Sequence, residues 1–309
     1  VANSLITASD ILTIGDQNAV ENGVSDLLQY APLLNLLGAA TASNGTQHKY
    51  LKETGAPTVG FRAANAGRDF SKSADTAVTI ALQIMSANGI VDKALADVYQ
   101  KGGAAALCAR EAQRALKQCF KHLEKQIIYG TGNDSDGFTG LVQALNALSN
   151  VMVYGAGGTT ALTSVWFIRT NNDETDVQFI LGNNGELTIG DTFIQMIPDA
   201  TGKMFPAYVT PCEGWGGLQV GSAYSIARIC NIDGNANGVT DALLSRGLEL
   251  FPEDRQPNLI VMNKRSRAQL QRSRQAVSTT GGHVPLPTEY EGIPLVVTGS
   301  VSIAETVVT

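Results

Sequence analysis

The chain has 309 residues, 44% of them hydrophobic, and a formal net charge of −6 at pH 7. That is enough apolar material for one large core or two moderate ones, and it excludes a disordered tail. No run of about 18 apolar residues occurs, and the opening "VANSLITASDILTIGD" lacks the basic-then-apolar order of a secretory signal, so a soluble intracellular product with no membrane partner is expected.

The charge is unevenly placed. Residues 101–130 hold six Lys/Arg and two Asp/Glu, whereas residues 131–260 hold five and fourteen. Opposed blocks suit contact between copies of one chain, a face turned toward a polyanion, or plain solvated faces. An acidic whole argues against a dedicated nucleic-acid binder. Cys108, Cys119, Cys212 and Cys230 make no CxxC pair. The first two would lie about 16 Å apart along a helix, so buried reduced thiols are expected.

In chain order, residues 1–44 carry one amphipathic run, "VENGVSDLLQYAPLLNLLG", which Pro32 interrupts and Gly38 ends. Residues 45–88 alternate polar and β-branched positions, with Thr76, Val78, Ile80 and Leu82 on one face, which predicts a long two-stranded arm with a Gly-rich stretch. Val91, Leu95, Val98, Gly102, Ala105, Ala109, Ala112, Leu116, Cys119, Leu123 and Ile127 then recur at spacings of three and four. This stripe predicts a helix over 92–127, about 54 Å long if continuous. Asp92 suits its start, Lys117, Lys121 and Lys125 suit its end, and "KGGAAA" predicts a kink or close packing by another backbone. "GLVQALNALSN" follows as a short helix, and residues 163–232 are β-like: "SVWFIRT", "VQFIL", "TFIQMI", "AYVTP" and "GLQVGSAYSIARICNI". A helix "TDALLSRGLELF", a buried strand "NLIVMN", a basic helix "SRAQLQRSRQAV" and a closing strand "GIPLVVTG" complete an α+β order without internal repeats.

Chemistry finds little footing. "IIYGTGNDSDGFTGL" has Ser135 where a dinucleotide fingerprint needs Gly, and no Lys-Ser/Thr pair follows. As a calcium loop it would place Asp134, Asp136 and Gly137 at positions three, five and six, with Gly132 and Gln143 where the outer ligands belong. "DGNANGVTDALL" is the better calcium candidate, with Asp233, Asn235, Asn237 and Asp241 as ligands, but Leu244 stands where a bidentate carboxylate is required. The same cluster suits an ordinary turn before a helix, with Thr240 or Asp241 as N-cap. His48, His122 and His283 are the only histidines, and neither GxSxG nor HExxH occurs. No catalytic residue, cofactor or metal is therefore assigned. The glycines after the long helix are expected to serve as a left-handed cap at Gly130 or Gly132, and Asp134 and Asp136 as turn formers.

Three stretches carry a resemblance. "TGAPTVGFRAANAGRDFSKSADTAVTIALQIMSANGIVDKALAD" (54–97), "GWGGLQVGSAYSIARICNID" (214–233) and "LFPEDRQPNLIVMNKRSRAQLQ" (250–271) resemble, in order, the extended loop and helix entry, the strand after a Gly-Trp, and the strand-to-helix segment of major capsid proteins of tailed bacteriophages. The resemblance implies the Hong Kong 97 capsid fold. It implies an N-terminal arm (1–44), an extended β-hairpin loop (45–88) and a peripheral-domain spine helix with its turn (89–137). An axial-domain entry (138–162), a mainly peripheral β-rich segment (163–233) and a mainly axial remainder (234–309) would follow. It implies self-assembly through pentamers and hexamers into an icosahedral head, DNA at the inner face, and scaffold, portal and decoration proteins as further partners. The virion, and the host cytoplasm during assembly, would be its location. No long scaffold segment precedes the arm in these 309 residues, so scaffolding is expected to be a separate protein, a segment already removed, or unnecessary. The family's type member joins subunits through a loop lysine and a neighbour's asparagine; Lys49, Lys52 and Lys72 lie in the matching region, where an exposed arm carries lysines in any case. Lys52, Phe61, Arg62 and Arg68 are the candidate assembly contacts. Alternatives are a non-viral nanocompartment shell of the same fold and a calcium-dependent binding or adhesion protein.

Overall fold

The computed structural model describes residues 31–99, 102–171, 175–183, 188–234, 236–277 and 284–309. Pro32 opens a helix where an interruption was expected. It stands in the first turn of α1 (Pro32–Leu36), where its missing N–H would have had no partner in any case. The preceding part of the expected arm lies outside the described residues. β1 (Gly38–Thr41) follows directly and pairs in parallel with β7 (Val177–Leu181).

β2 (Gln47–Gly55) and β3 (Ala74–Ala81) form a separate antiparallel ribbon, with Gln47 opposite Ala81 and Gly55 opposite Ala74. Leu82 alone separates this ribbon from β4 (Gln83–Asp92), which pairs along its whole length with β10 (Met204–Val220). The ribbon thus accounts for 47–81 of the expected loop, and residues 83–88 belong to a sheet.

At the end of β4 the Asp92 carboxylate accepts a hydrogen bond from Ala94 N at 2.8 Å and caps a helix, as expected. The single helix over 92–127 does not form. Instead α2 (Lys93–Val98) stops and α3 (Gly103–Tyr129) begins after its N-cap Gly102, where the φ values of Gly102 and Gly103, 84° and 71°, cannot continue a right-handed helix from α2. Of the kink or close packing expected at "KGGAAA", the break at Gly102 and Gly103 is the kink; a close backbone approach occurs at Gly89 of β4, where a Cβ would stand 3.0 Å from Ala112 N. α3 also has no basic residue in its last turn, so Lys117, Lys121 and Lys125 lie short of the end they were expected to complement.

The first sheet runs β1-β7-β10-β4, with β8 (Thr188–Ile189) and β9 (Phe193–Pro198) also paired to β10. β10 is one strand of 17 residues although Pro206, Pro211 and three glycines punctuate it. Two of those glycines admit neighbours: a Cβ on Gly216 would lie 2.7 Å from Phe179, and one on Gly217 2.6 Å from Leu82. α3 packs against β4 and β10 of this sheet, and buries Leu116, Cys119 and Leu123.

The second sheet contains β5 (Val153–Gly155), β6 (Thr163–Ile168), β11 (Ile226–Ile232), β12 (Leu259–Met262), β13 (Glu289–Tyr290) and β14 (Ile293–Val297), in the order β13-β14-β12-β6-β11-β5. β6, β11 and β12 are buried at every position. α4 (Leu141–Ala144), α5 (Asp241–Glu249) and α6 (Lys264–Val277) complete the described helices. α5 approaches closely enough that a Cβ on Gly247 would meet Phe167 at 2.4 Å. Trp166, Phe167, Ile229 and Ile260 share one core with Ile127, Leu141 and Phe179; burying each aromatic of this set contributes about 2 kcal/mol. The β-rich span 163–233 is therefore divided, with β6 and β11 in the second sheet and β7 to β10 in the first. The architecture is α+β, as the order of predicted elements requires.

Candidate assembly surface

The glycine-rich stretch after α3 is a self-contained corner. Gly130, at φ 51°, caps the helix and donates to Gln126 O. The buried Gln126 carboxamide donates to Phe138 O at 2.9 Å, and Gln143 donates to Tyr129 O at 2.8 Å while accepting from Gly140 N at 2.7 Å. Asp134 Oδ1 accepts from Asp136 N at 3.1 Å, the turn expected of these aspartates. A Cβ on Gly137 would stand 2.2 Å from Gln126 Nε2. These polar groups are engaged in holding the corner closed.

The second calcium candidate is likewise held by its own chain. Asp233 accepts from Asn237 N at 2.9 Å and from Asn237 Nδ2 at 3.0 Å, and Thr240 caps α5 by accepting from Leu243 N at 3.2 Å. Asp241 faces another way, bound by Arg274 through Nε at 2.9 Å and Nη2 at 2.6 Å. Asn235 lies outside the described residues. Among the described residues no three His, Cys, Asp or Glu side chains converge on a space for a metal ion, and no helix is long and apolar enough to cross a membrane. A cavity of about 610 Å³ between α3 and β10 is lined chiefly by Ala105, Cys108, Ala109, Ala112 and Tyr208, with no cluster of acid, base and nucleophile.

The three most exposed large apolar side chains among the described residues, Val59, Phe61 and Phe70, lie at the far end of the ribbon. Its base is tied down: Leu82 N donates to Thr46 O at 3.1 Å and Tyr50 Oη to Val220 O at 3.3 Å. Its stem carries Lys52, opposite Thr76. Beyond the stem, residues 56–73 have no regular pairing but hold a shape: Thr58 N donates to Ser71 Oγ at 2.6 Å, Arg62 Nη1 to Ala66 O at 3.3 Å, and Arg68 lies over Gly60, where a Cβ would come within 2.8 Å of its Nη1. Phe61 and Phe70 sit in this segment at 107% and 92% relative exposure. The structure thus gathers Phe61, Arg62 and Arg68 at the tip and leaves Lys52 on the stem.

The sequence model of a family described as Major capsid protein GP7 matches residues 16–308. The chain belongs to that family. This capsid protein is similar in structure to a chain of bacteriophage Epsilon15 over 100% of its own length and 99% of that chain, with a TM-score of 0.72 at 20% identity. It is similar to the bacteriophage JBD30 capsid over 96% of its length and 99% of that chain, with a TM-score of 0.53 at 12% identity. An encapsulin from Synechococcus elongatus is similar over 75% of its length and 98% of that chain, at a TM-score of 0.45 and 10% identity, too distant to carry an argument. No curated protein matches the sequence. The fold is the Hong Kong 97-like capsid fold, and the protein is a structural component of a tailed-phage virion.

Two polar clusters in the capsid protein escaped the sequence reading. Arg228 is buried in β11 and donates to Ser164 Oγ, Leu145 O and Glu305 Oε2, each at 3.0 Å, with its guanidinium 4.9 Å from the centroid of the Trp166 ring. Tyr129 at the end of α3 donates to Glu305 Oε1 at 2.5 Å and accepts from Ser302 N at 2.7 Å; burial and the Glu305 carboxylate push its phenol above the usual range. Glu124, fully buried on α3, accepts from Leu33 N at 2.9 Å and from Thr298 Oγ1. These clusters tie α1, α3 and the segment after β14 to the second sheet. A lone arginine in an apolar strand was the one signal the sequence offered.

Proposed function

We propose that this capsid protein assembles through rings of five and six copies into a closed icosahedral head around packaged DNA. In this reading the ribbon and residues 56–73 are an extended loop lying on a neighbouring copy, with Phe61, Arg62 and Arg68 at its tip and Lys52 on its stem as contacts. The first sheet with α3 corresponds to a peripheral domain and the second sheet to an axial one. Scaffold, portal and decoration proteins are the partners such a head would use, assembly would take place in the host cytoplasm, and the role is architectural without catalysis.

The observation that carries this reading is the ribbon tip. A two-stranded ribbon is marginal on its own in water, and full exposure of Phe61 and Phe70 is unfavourable unless another surface covers them. A neighbouring copy supplies that cover in a shell, where many modest contacts add. The purified chain, alone or coexpressed with a scaffold, is expected to give hollow particles or five- and six-fold rings in electron micrographs. Light scattering that finds only a compact monomer under every condition tested would refute the proposal.

A further inference from the structure

The outward side of α3 carries a ridge of five cations. Arg110, Arg114, Lys117, Lys121 and Lys125 recur at spacings of four, three, four and four. At 3.6 residues per turn these positions fall within an arc of about 80° and rise about 22 Å along the axis. Leu116, Cys119 and Leu123, which α3 buries within this length, occupy the opposite arc, and the buried Leu107 and Ile128 stand in line with the ridge just beyond its two ends. Arg114, Lys121 and Lys125 are exposed.

Within the helix, Glu111 pairs with Arg114 at 2.8 Å, and Glu124 is turned into the core. His122, beside the ridge, is 3.3 Å from Asp134. Like charges three and four residues apart destabilise a helix. The helix dipole would offset this only in the last turn, which none of the five reaches.

The side of the first sheet away from α3 carries an acidic group. Tyr208 and Thr210 of β10 face α3 across the cavity. Side chains alternate along a strand, which turns the exposed Glu213 to the far side. The cations lie on the helix side, within a chain whose net charge is −6.

We propose that this ridge is the surface on which the shell wall meets the sugar–phosphate backbone of enclosed nucleic acid, so that the helix side of the first sheet faces inward. The inference rests on the shell reading above. A duplex presents one phosphate charge per about 1.7 Å of its axis, so a ridge of this length faces roughly a dozen of them. Contacts to phosphate carry no sequence information, which suits a container that must accept any sequence.

The test is the full chain with Arg114→Gln, Lys121→Gln and Lys125→Gln combined. Particle formation is followed by microscopy, and binding of a duplex of about 20 base pairs to the unassembled chain by fluorescence anisotropy across a salt series. The variant is expected to keep its helix content and its particles. Its duplex affinity should fall about tenfold or more, with a log-log salt slope shallower by about 0.9 for each phosphate that is no longer neutralised. Arg114→Lys, Lys121→Arg and Lys125→Arg together should restore both. Unchanged affinity and slope in the charge-stripped variant overturn the proposal. A variant that folds but no longer assembles also overturns it, because the ridge would then be a contact between copies. If the triple variant loses helix content, Lys121→Gln and Lys125→Gln singly carry the same measurement, and unchanged slopes there overturn the proposal equally. A wild-type chain that binds the duplex but never forms particles would sink the shell reading separately.

Discussion

Arg228 and Glu305 form an ion pair whose side chains are only 3% and 6% exposed. Taking one partner away leaves a charge in the core without compensation, and this is the costly change; the net contribution of the intact pair is smaller. Glu305→Gln is therefore expected to destabilise the unassembled chain by about 3 kcal/mol, measured by urea denaturation. A loss under about 1 kcal/mol would show that Ser164 and Leu145 alone suffice to solvate the guanidinium. The pair also shows where the sequence falls silent. Asp92 as a cap and Gly130 as a helix terminator are local matters, settled within a few residues, and both were legible. Nothing in the neighbourhood of Arg228 points to a carboxylate 77 positions onward, because that contact exists only once the closing segment lies beneath the second sheet. Asp233 and Asp241 show the converse: adjacent in a calcium-like spacing, they are turned to different partners, Asn237 and Arg274.

Among the elements, α3 and the ribbon were legible because their patterns are long: a stripe at three-and-four spacing for one, alternation through Thr76, Val78 and Ile80 for the other. Misreadings occurred where glycine and proline serve packing. Gly216 and Gly217 resemble a turn but sit mid-strand to admit Phe179 and Leu82, so the sequence reads β10 as two strands, whereas Gly102 and Gly103 interrupt the helix at the weak point expected of "KGGAAA". The ribbon supports a prediction of its own. Its tip contributes no buried side chain to either core cluster. Replacing residues 54–74 with a short Gly-Ser linker should therefore leave helix content, by circular dichroism, nearly unchanged while closed shells disappear in sedimentation and microscopy. Normal shell yield from that deletion would show that the extended loop is not an assembly element.

In the molecule as a whole, stability comes from packing among described residues that include four buried, unbridged cysteines. Burial pushes all four thiols above their ordinary pKa, which keeps them in the unreactive protonated form. Thiol reagents and chelators at neutral pH should accordingly leave particles intact, as followed by light scattering. Subunit release by EDTA would direct attention to Asp233, and Asp233→Ala would then have to reproduce the effect. The single residue between β3 and β4 has a mechanical meaning at this scale. Ribbon and first sheet are successive parts of one continuous backbone, and Leu82 is their joint, clamped beside Gly182 and Gly217. The nine-residue stem of β2 is a lever about 30 Å long, so in the proposed shell a small push at Phe61 would arrive at Leu82 as torque on β4 and hence on β10. The joint would let one copy sense the angle at which the next is seated.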